Sequence, residues 1–403
     1  ARGDSLLVEI AKRLTMELRE EDSINYLSES NAVDEKESGA AEISRLGGDE
    51  FTVVLSDVDN MADIEKVAKR ILDCLSQPIP LQSHNPVVTP SIGIALYPQD
   101  GEDPDTLIRN ADTAMYFAKA EGRACYRFYN EEMNAKAVEK LKMEEELRDA
   151  LRNSELELRY QPQVNSITGE VVSMEALVRW KHPKRGMVSP DEFIPVAEST
   201  GQIIELGEWV MEEVARHCLY WDTLGLSAHR VCVNISPLQF NHGNLSDWIA
   251  DFLVKSGLSP NRLELELTES AIMNDAETNI AKLRALKSLG VDLAVDDFGT
   301  GYSSLSYLKR FPIDTLKIDH SFVNDLNTSD GAAIVDAILG LAKALNLRVI
   351  AEGIESERQL AYLVGKGCDL LQGFYFARPI YPEEVPSMLQ TNFSAEIQKS
   401  MDS

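Results

Sequence analysis

The feature that most constrains this chain is a recurrence of short apolar runs between residues 155 and 390. They lie near 156–162, 170–180, 230–235, 262–268, 291–297, 314–319, 347–352 and 371–376. Most are separated by a longer amphipathic segment, and strands alternating with helical patterns build a sheet covered by helices. Eight such runs predict an α/β fold closed as a (β/α)8 TIM-like barrel, which collects its chemistry at the carboxyl ends of the strands. Those ends are polar here. Glu175 and Arg179 lie on the second run, Asn234 on the third, Glu266 and Glu269 at the fourth, and Asp296 and Asp297 at the fifth. Lys317 and Asp319 end the sixth, Glu352 ends the seventh with Glu355 just beyond, and Gln372 opens the eighth.

Each position alone has an ordinary explanation. Glu264 and Glu266 fit the outward face of an amphipathic strand, Lys317 a buried ion-pair partner, and Asp296-Asp297 a solvated turn. Recurrence at one predicted rim is what gives the set meaning. Two adjacent carboxylates at a buried strand end are costly unless a cation neutralises them. Carboxylates with one amide oxygen suit a hard divalent ion, Mg2+ or Mn2+, and no His or Cys joins them. An Asp296 shared by two such ions would allow activated water to attack a phosphodiester, with Lys317 facing the developing charge.

Ahead of the barrel, the spacing predicts a helix over 4–16, a polar loop over 17–42 and a hairpin over 43–55 turning at Gly47-Gly48. A helix at 60–77, a strand at 86–96 and a helix at 104–121 follow. Residues 130–153 hold no Gly or Pro and place Met143, Leu147 and Leu151 on one face, which predicts an interdomain helix. The formal net charge of −27 argues against a nucleic-acid or anionic-membrane surface. Five scattered cysteines without a Cys-x-x-Cys read as buried thiols in a reducing, cytoplasmic setting. No apolar run is of membrane-spanning length. The opening residues read as the middle of a domain, so a membrane-anchored parent protein is compatible with the chain.

Arg45-Leu-Gly-Gly-Asp-Glu-Phe51, Ser91–Pro98 and Ala111–Arg123 together resemble the GGDEF family of diguanylate cyclases. The resemblance covers residues 1–129. It implies that Gly47, Gly48, Asp49, Glu50 and Phe51 form the signature hairpin, with Asp49 and Glu50 serving metal binding and catalysis. It implies that Asp4 of Gly3-Asp4 binds guanine, with GTP as the ligand in the full-length parent. The family's first strand, with its own metal-binding aspartate, has no counterpart here, so this domain is expected not to make cyclic di-GMP. The family's inhibitory Arg-x-x-Asp is replaced by Ser38-Gly39-Ala40-Ala41, while Arg19–Asp22 carries that spacing upstream.

Glu175-Ala-Leu-Val-Arg179, with seven further motifs in order, resembles the EAL family of cyclic di-GMP phosphodiesterases. Those motifs are Tyr160–Pro162, Val233–Ser236, Glu264–Glu269, Asp296–Ser304, Lys317–Asp319, Ala351–Glu355 and Gln372–Tyr375. The resemblance implies hydrolysis of cyclic di-GMP to linear pGpG with two Mg2+ or Mn2+ ions. Glu175, Asn234, Glu266 and Asp296 would hold the first ion; Asp296 and Asp297 would hold the second, with Glu352 nearby. Lys317 would contact the nucleophilic water, Glu352 is the other candidate base, and Glu269 would secure the loop Asp297–Ser304. Gln161, Leu177, Arg179, Asp319, Glu355 and Tyr375 would contact the dinucleotide. A homodimer through this domain is the family's expectation. The expected organisation is a partial GGDEF domain at 1–129, a linker helix at 130–153, an EAL domain at 154–392 and a tail at 393–403.

Overall fold

The computed structural model describes residues 2–20, 42–56, 58, 60–80, 86–120, 122, 124–226, 229–301 and 305–402. The chain forms two compact units, Ala1–Leu141 and Lys142–Ser403. Most of the predicted polar loop, and Ser38–Ala41 within it, lie outside the described residues, as do the side chains of Asp4 and Arg19.

In the first unit the opening helix is longer than its periodicity suggests, Arg2–Glu20. Ile10, Leu14 and Leu18 recur every four residues and are buried with Ile71, Leu75 and Ile79. The Arg13 guanidinium donates to the carbonyls of Cys74, Gln77 and Pro78, placing a cation on the C-terminal end of the helix Met61–Leu75. The hairpin forms as expected, Glu42–Gly47 against Glu50–Val54, with Gly48 at φ 54° in the turn. The predicted strand at 86–96 is ordered as a strand only over Ser91–Ile94, where it pairs in parallel with Cys125–Phe128. The helix Pro104–Ala120 presses on it so closely that a Cβ at Gly93 would lie 1.9 Å from the Ala111 carbonyl oxygen.

The second unit is a closed eight-stranded barrel. Its strands are β1 (Leu156–Asn165), β2 (Val171–His182), β3 (Arg230–Ile235), β4 (Leu263–Thr268), β5 (Asp292–Phe298), β6 (Thr315–Ile318), β7 (Arg348–Ala351) and β8 (Leu370–Leu371). From β2 to β8 neighbouring barrel strands are parallel. The expectation of one repeated strand–helix unit fails at the start, because β1 is antiparallel to both β2 and β8. The cause is local. The Asn165 side chain accepts from the backbone N–H of Ile167 and Thr168, and Gly169 adopts φ 71°, so the chain reverses at once into β2 with no helix between. The start of β1 therefore lies at the rim where the other strands end.

β8 is shorter than the predicted 371–376, since Gly373 lies against Ile354, whose carbonyl oxygen would be 2.1 Å from an added Cβ. The predicted tail contains a helix, Ser394–Met401, with Ile397 and Ser400 buried. A helix forms over Glu131–Arg152, and its Met143, Leu147 and Ala150 are buried with Leu156, Trp180 and Phe193.

Candidate active site

Successive strand residues point to opposite faces. Along β4 the leucines 263, 265 and 267 join the outer core, and both Glu264 and Glu266 turn into the barrel. The outward alternative for these two acids is thereby corrected. They belong to two polar layers.

The lower layer is a charge-balanced floor. Arg230 Nη1 lies 2.9 Å from both Glu264 Oε2 and Asp292 Oδ2, and Arg348 Nη2 lies 3.0 Å from both. The upper layer is not balanced. Lys317, fully buried, stands among four carboxylates: Glu266 Oε2 at 2.6 Å, Glu352 Oε1 at 2.7 Å, Asp296 Oδ1 at 3.3 Å and Glu175 Oε1 at 3.7 Å. Burial opposes the charge on Lys317, yet these four acids hold its pKa well above the ordinary lysine value. Glu175 is pushed up by burial, but Lys317 and the donors Gln372 and Asn234 outweigh this and keep it ionised below the usual range. Burial drives Glu266 well above its ordinary value, and drives Glu352 to about 8.

Asp297 follows in the left-handed region, at φ 53°, where the register between β5 and β6 shifts. This turns its carboxylate out of the strand's alternation. Burial and the neighbouring Asp296 charge raise its pKa to about 6. The loop beyond is tied down by Glu269, whose Oε2 accepts from Gly299 N at 2.8 Å.

These residues fit hard divalent cations. One ammonium faces four carboxylates, with Asp297 as a fifth close by, and Glu266 Oε1 is buried with no hydrogen-bond partner among the described residues. A buried carboxyl oxygen without a donor is the kind of group that a Mg2+ or Mn2+ ion satisfies. Cys232, Glu264 and Glu266 form a tighter group, with ligand atoms within 4.8 Å of one another. Glu264 there is already neutralised by two arginines, and burial holds the Cys232 thiol protonated. That group belongs to the barrel interior.

The implied substrate contacts are distributed unevenly. Gln161 points inward, and its Oε1 lies 3.3 Å from Gln372 Nε2. β1 pairs Gln161 with Glu175, Arg159 with Leu177 and Glu157 with Arg179, which sets Leu177 and Arg179 toward the rim. Burial lowers the Arg179 pKa. Asp319 is occupied locally: it caps the helix His320–Asn324 through Ser321 N at 3.0 Å and accepts from His320 Nδ1 at 2.9 Å. Glu355 is exposed. Burial, and then Glu357, raise the pKa of the Tyr375 hydroxyl. In the first unit Asp49 and Glu50 are exposed at the hairpin tip, and Phe51 packs against its core.

The sequence reading missed an amide chain behind Glu175, formed by Gln163, Ser173, Cys232 and Gln372. The alternation Gln161-x-Gln163 on β1 was the available signal.

Fold and site together define a barrel protein with a cluster of acids gathered around one buried lysine at its mouth. The model of the EAL domain matches residues 144–379, and this chain belongs to the EAL family. A second match, to the diguanylate cyclase GGDEF domain, covers residues 36–125. The chain is 43% identical over 384 residues to the bifunctional diguanylate cyclase/cyclic di-GMP phosphodiesterase MucR of Pseudomonas aeruginosa, covering 95% of this chain and 53% of MucR. It is 39% identical over 379 residues to the cyclic di-GMP phosphodiesterase NbdA of the same organism, covering 94% and 46%. The chain thus spans about half the length of these relatives. Among solved structures, the PaMucR phosphodiesterase in complex with c-di-GMP superposes with a TM-score of 0.59 at 45% identity, covering 60% of this chain and 99% of that one. No helix among the described residues is long and apolar enough to cross a membrane.

Proposed function

We propose that the barrel hydrolyses cyclic di-GMP to linear pGpG in bacterial second-messenger signalling. The observation that carries this reading is the unbalanced upper layer, with its buried, partnerless Glu266 oxygen. The relatives named as cyclic di-GMP phosphodiesterases, and the related structure in complex with c-di-GMP, supply the substrate.

In this reading Glu175, Asn234, Glu266 and Asp296 hold one Mg2+ or Mn2+ ion, and Asp296 and Asp297 a second, with Glu352 beside it. Bound there, the ions polarise the phosphodiester and acidify water. Lys317, held protonated by its neighbours, faces the negative charge that grows on the phosphoryl oxygens. Glu352 is the candidate acceptor for the proton of the attacking water. The water oxygen bonds to phosphorus, the bond to the 3′ oxygen breaks, and the product keeps a 5′ phosphate. Glu269 holds the loop carrying Asp297. Gln161, Leu177 and Arg179 line the rim for the dinucleotide, the planar Arg179 fork suiting a phosphate. Asp319, Glu355 and Tyr375 are further contacts, Asp319 after releasing part of its cap.

The test is to incubate the chain with cyclic di-GMP in Mg2+, in Mn2+ and in EDTA, and to identify products by mass. pGpG should form only with metal and should vanish in Glu175→Gln. Tight binding of cyclic di-GMP without turnover in either metal would make the barrel a receptor instead.

A further inference from the structure

The Glu175 carboxylate is held from behind by a chain of amides whose direction chemistry fixes. An ionised carboxylate only accepts hydrogen bonds, and the oxygen and nitrogen ends of a glutamine amide are nearly the same size. Gln372 Nε2 lies 2.5 Å from Glu175 Oε2, so Gln372 must present its NH2 there. Its oxygen then points away and takes a hydrogen bond from Gln163 Nε2 at 2.9 Å. Gln163 Oε1 is thereby turned toward two groups that carry a hydrogen, the Ser173 hydroxyl at 2.5 Å and the Cys232 thiol at 3.4 Å. Among the described residues the thiol hydrogen has one competing acceptor, Glu264 Oε1, farther off at 3.7 Å. Gln163, Ser173, Cys232, Gln372 and Glu175 are all buried, so water cannot replace a missing donor. Reversing either amide would set oxygen against oxygen.

We propose that Gln163 is a positioning residue for the divalent-metal site, kept in one amide orientation by the hydroxyl of Ser173 and the thiol of Cys232. Through Gln372 it fixes the rotation of the Glu175 carboxylate. The inference rests on the metal-dependent reading above. It assigns Cys232 a donor role, where its burial alone suggests only packing. Without a donor to Gln163 Oε1, that amide can turn over. Its oxygen then crowds that of Gln372, whose NH2 also donates to Gln161 Oε1 at 3.3 Å, and Gln372 must shift or turn against that bond, which loosens its hold on Glu175.

The test is calorimetric titration of Mn2+ into the metal-stripped chain, without nucleotide, with melting in EDTA as the folding control. Removing both donors in Ser173→Ala/Cys232→Ala should weaken Mn2+ binding about tenfold, the usual scale for a partner behind a metal ligand. Ser173→Ala/Cys232→Ser restores one hydroxyl and should bind Mn2+ close to the parent value. A packing role predicts no difference between these two variants, since neither serine nor alanine fills the space of the thiol. Equal Mn2+ affinity in the two double variants overturns the proposal. If the double alanine variant does not fold, Ser173→Ala alone should give an intermediate affinity, and an unchanged one overturns it. A parent that binds Mn2+ but leaves cyclic di-GMP intact removes the phosphodiesterase reading and leaves the amide chain standing. A parent that binds no Mn2+ removes both.

Discussion

At the scale of single residues, the site is governed by a surplus of buried acid around one lysine. Glu352 has a folded pKa of about 8, far above an ordinary carboxyl, and Glu266 is shifted the same way. A carboxyl whose pKa rises on folding stabilises the protein fully below its unfolded value, about 4.5. That contribution is lost as pH climbs through the folded value. In EDTA the melting temperature should therefore fall between pH 5 and pH 8.5. Mg2+ should raise it more at pH 8.5 than at pH 5, because the acids that bind the ion are then free of protons. A flat melting profile across this range in EDTA would contradict the charge surplus. Lys317 makes a second test. Lys317→Met removes the ammonium that faces the four acids, and breaking a buried charge cluster from one side costs about 3–5 kcal/mol. Chemical denaturation in EDTA at pH 8.5 should show that loss. It should shrink at pH 5, where Glu266 and Glu352 carry protons, while hydrolysis is abolished at both.

At the scale of elements, much of the site was legible because strand ends are legible. Apolar runs of strand length stop where their side chains meet solvent or a ligand, so Asn234, Asp296 and Glu352 could be placed from sequence. Direction could not be read in the same way. β1 carries the same apolar signal as its neighbours, and only the turn Asn165–Gly169 decides that it runs backward. The side of the barrel chosen by Glu264 was equally hidden, since its partners Arg230, Thr315 and Arg348 come from three other strands. The loop after β5 follows its own local rule. Asp297 sits at φ 53°, a conformation that Asn also tolerates. Asp297→Asn should thus keep the fold and melting temperature while cutting kcat by about 100-fold or more, if the side chain holds an ion as proposed. Glu269→Ala, which releases Gly299 N, should lower kcat at saturating cyclic di-GMP. Glu269→Gln retains an acceptor oxygen and should recover much of it. Equal loss in both variants would show that the charge of Glu269, not its tie to the loop, is what matters.

At the scale of the whole molecule, the question is where the barrel unit begins. The spacing of Met143, Leu147 and Leu151 announced one apolar face on the helix Glu131–Arg152, but not what that face would meet. Met143 and Leu147 are buried against Trp180, Phe193 and Leu206, with Ala150 buried beside them and Leu151 partly buried against the same cluster. Polar ties repeat the message: Gln202 Nε2 donates to the Glu144 carbonyl at 3.0 Å, and Arg185 Nη2 lies 3.0 Å from Glu146 Oε2. The second half of the helix is thus part of the barrel's own core, although composition marks it as a connector. A fragment starting at Ser154 would expose Trp180 and Phe193 and lose two large buried side chains, each worth about 2–5 kcal/mol when truncated. A fragment starting at Glu131 keeps them. The expected result is that residues 131–403 melt close to the temperature of the barrel transition in the full chain and hydrolyse cyclic di-GMP. Residues 154–403 should melt many degrees lower or fail to fold. Leu147→Ala in the full chain should reproduce part of that loss. If residues 154–403 were as stable as residues 131–403, the helix would be a connector after all, and the barrel would close without it.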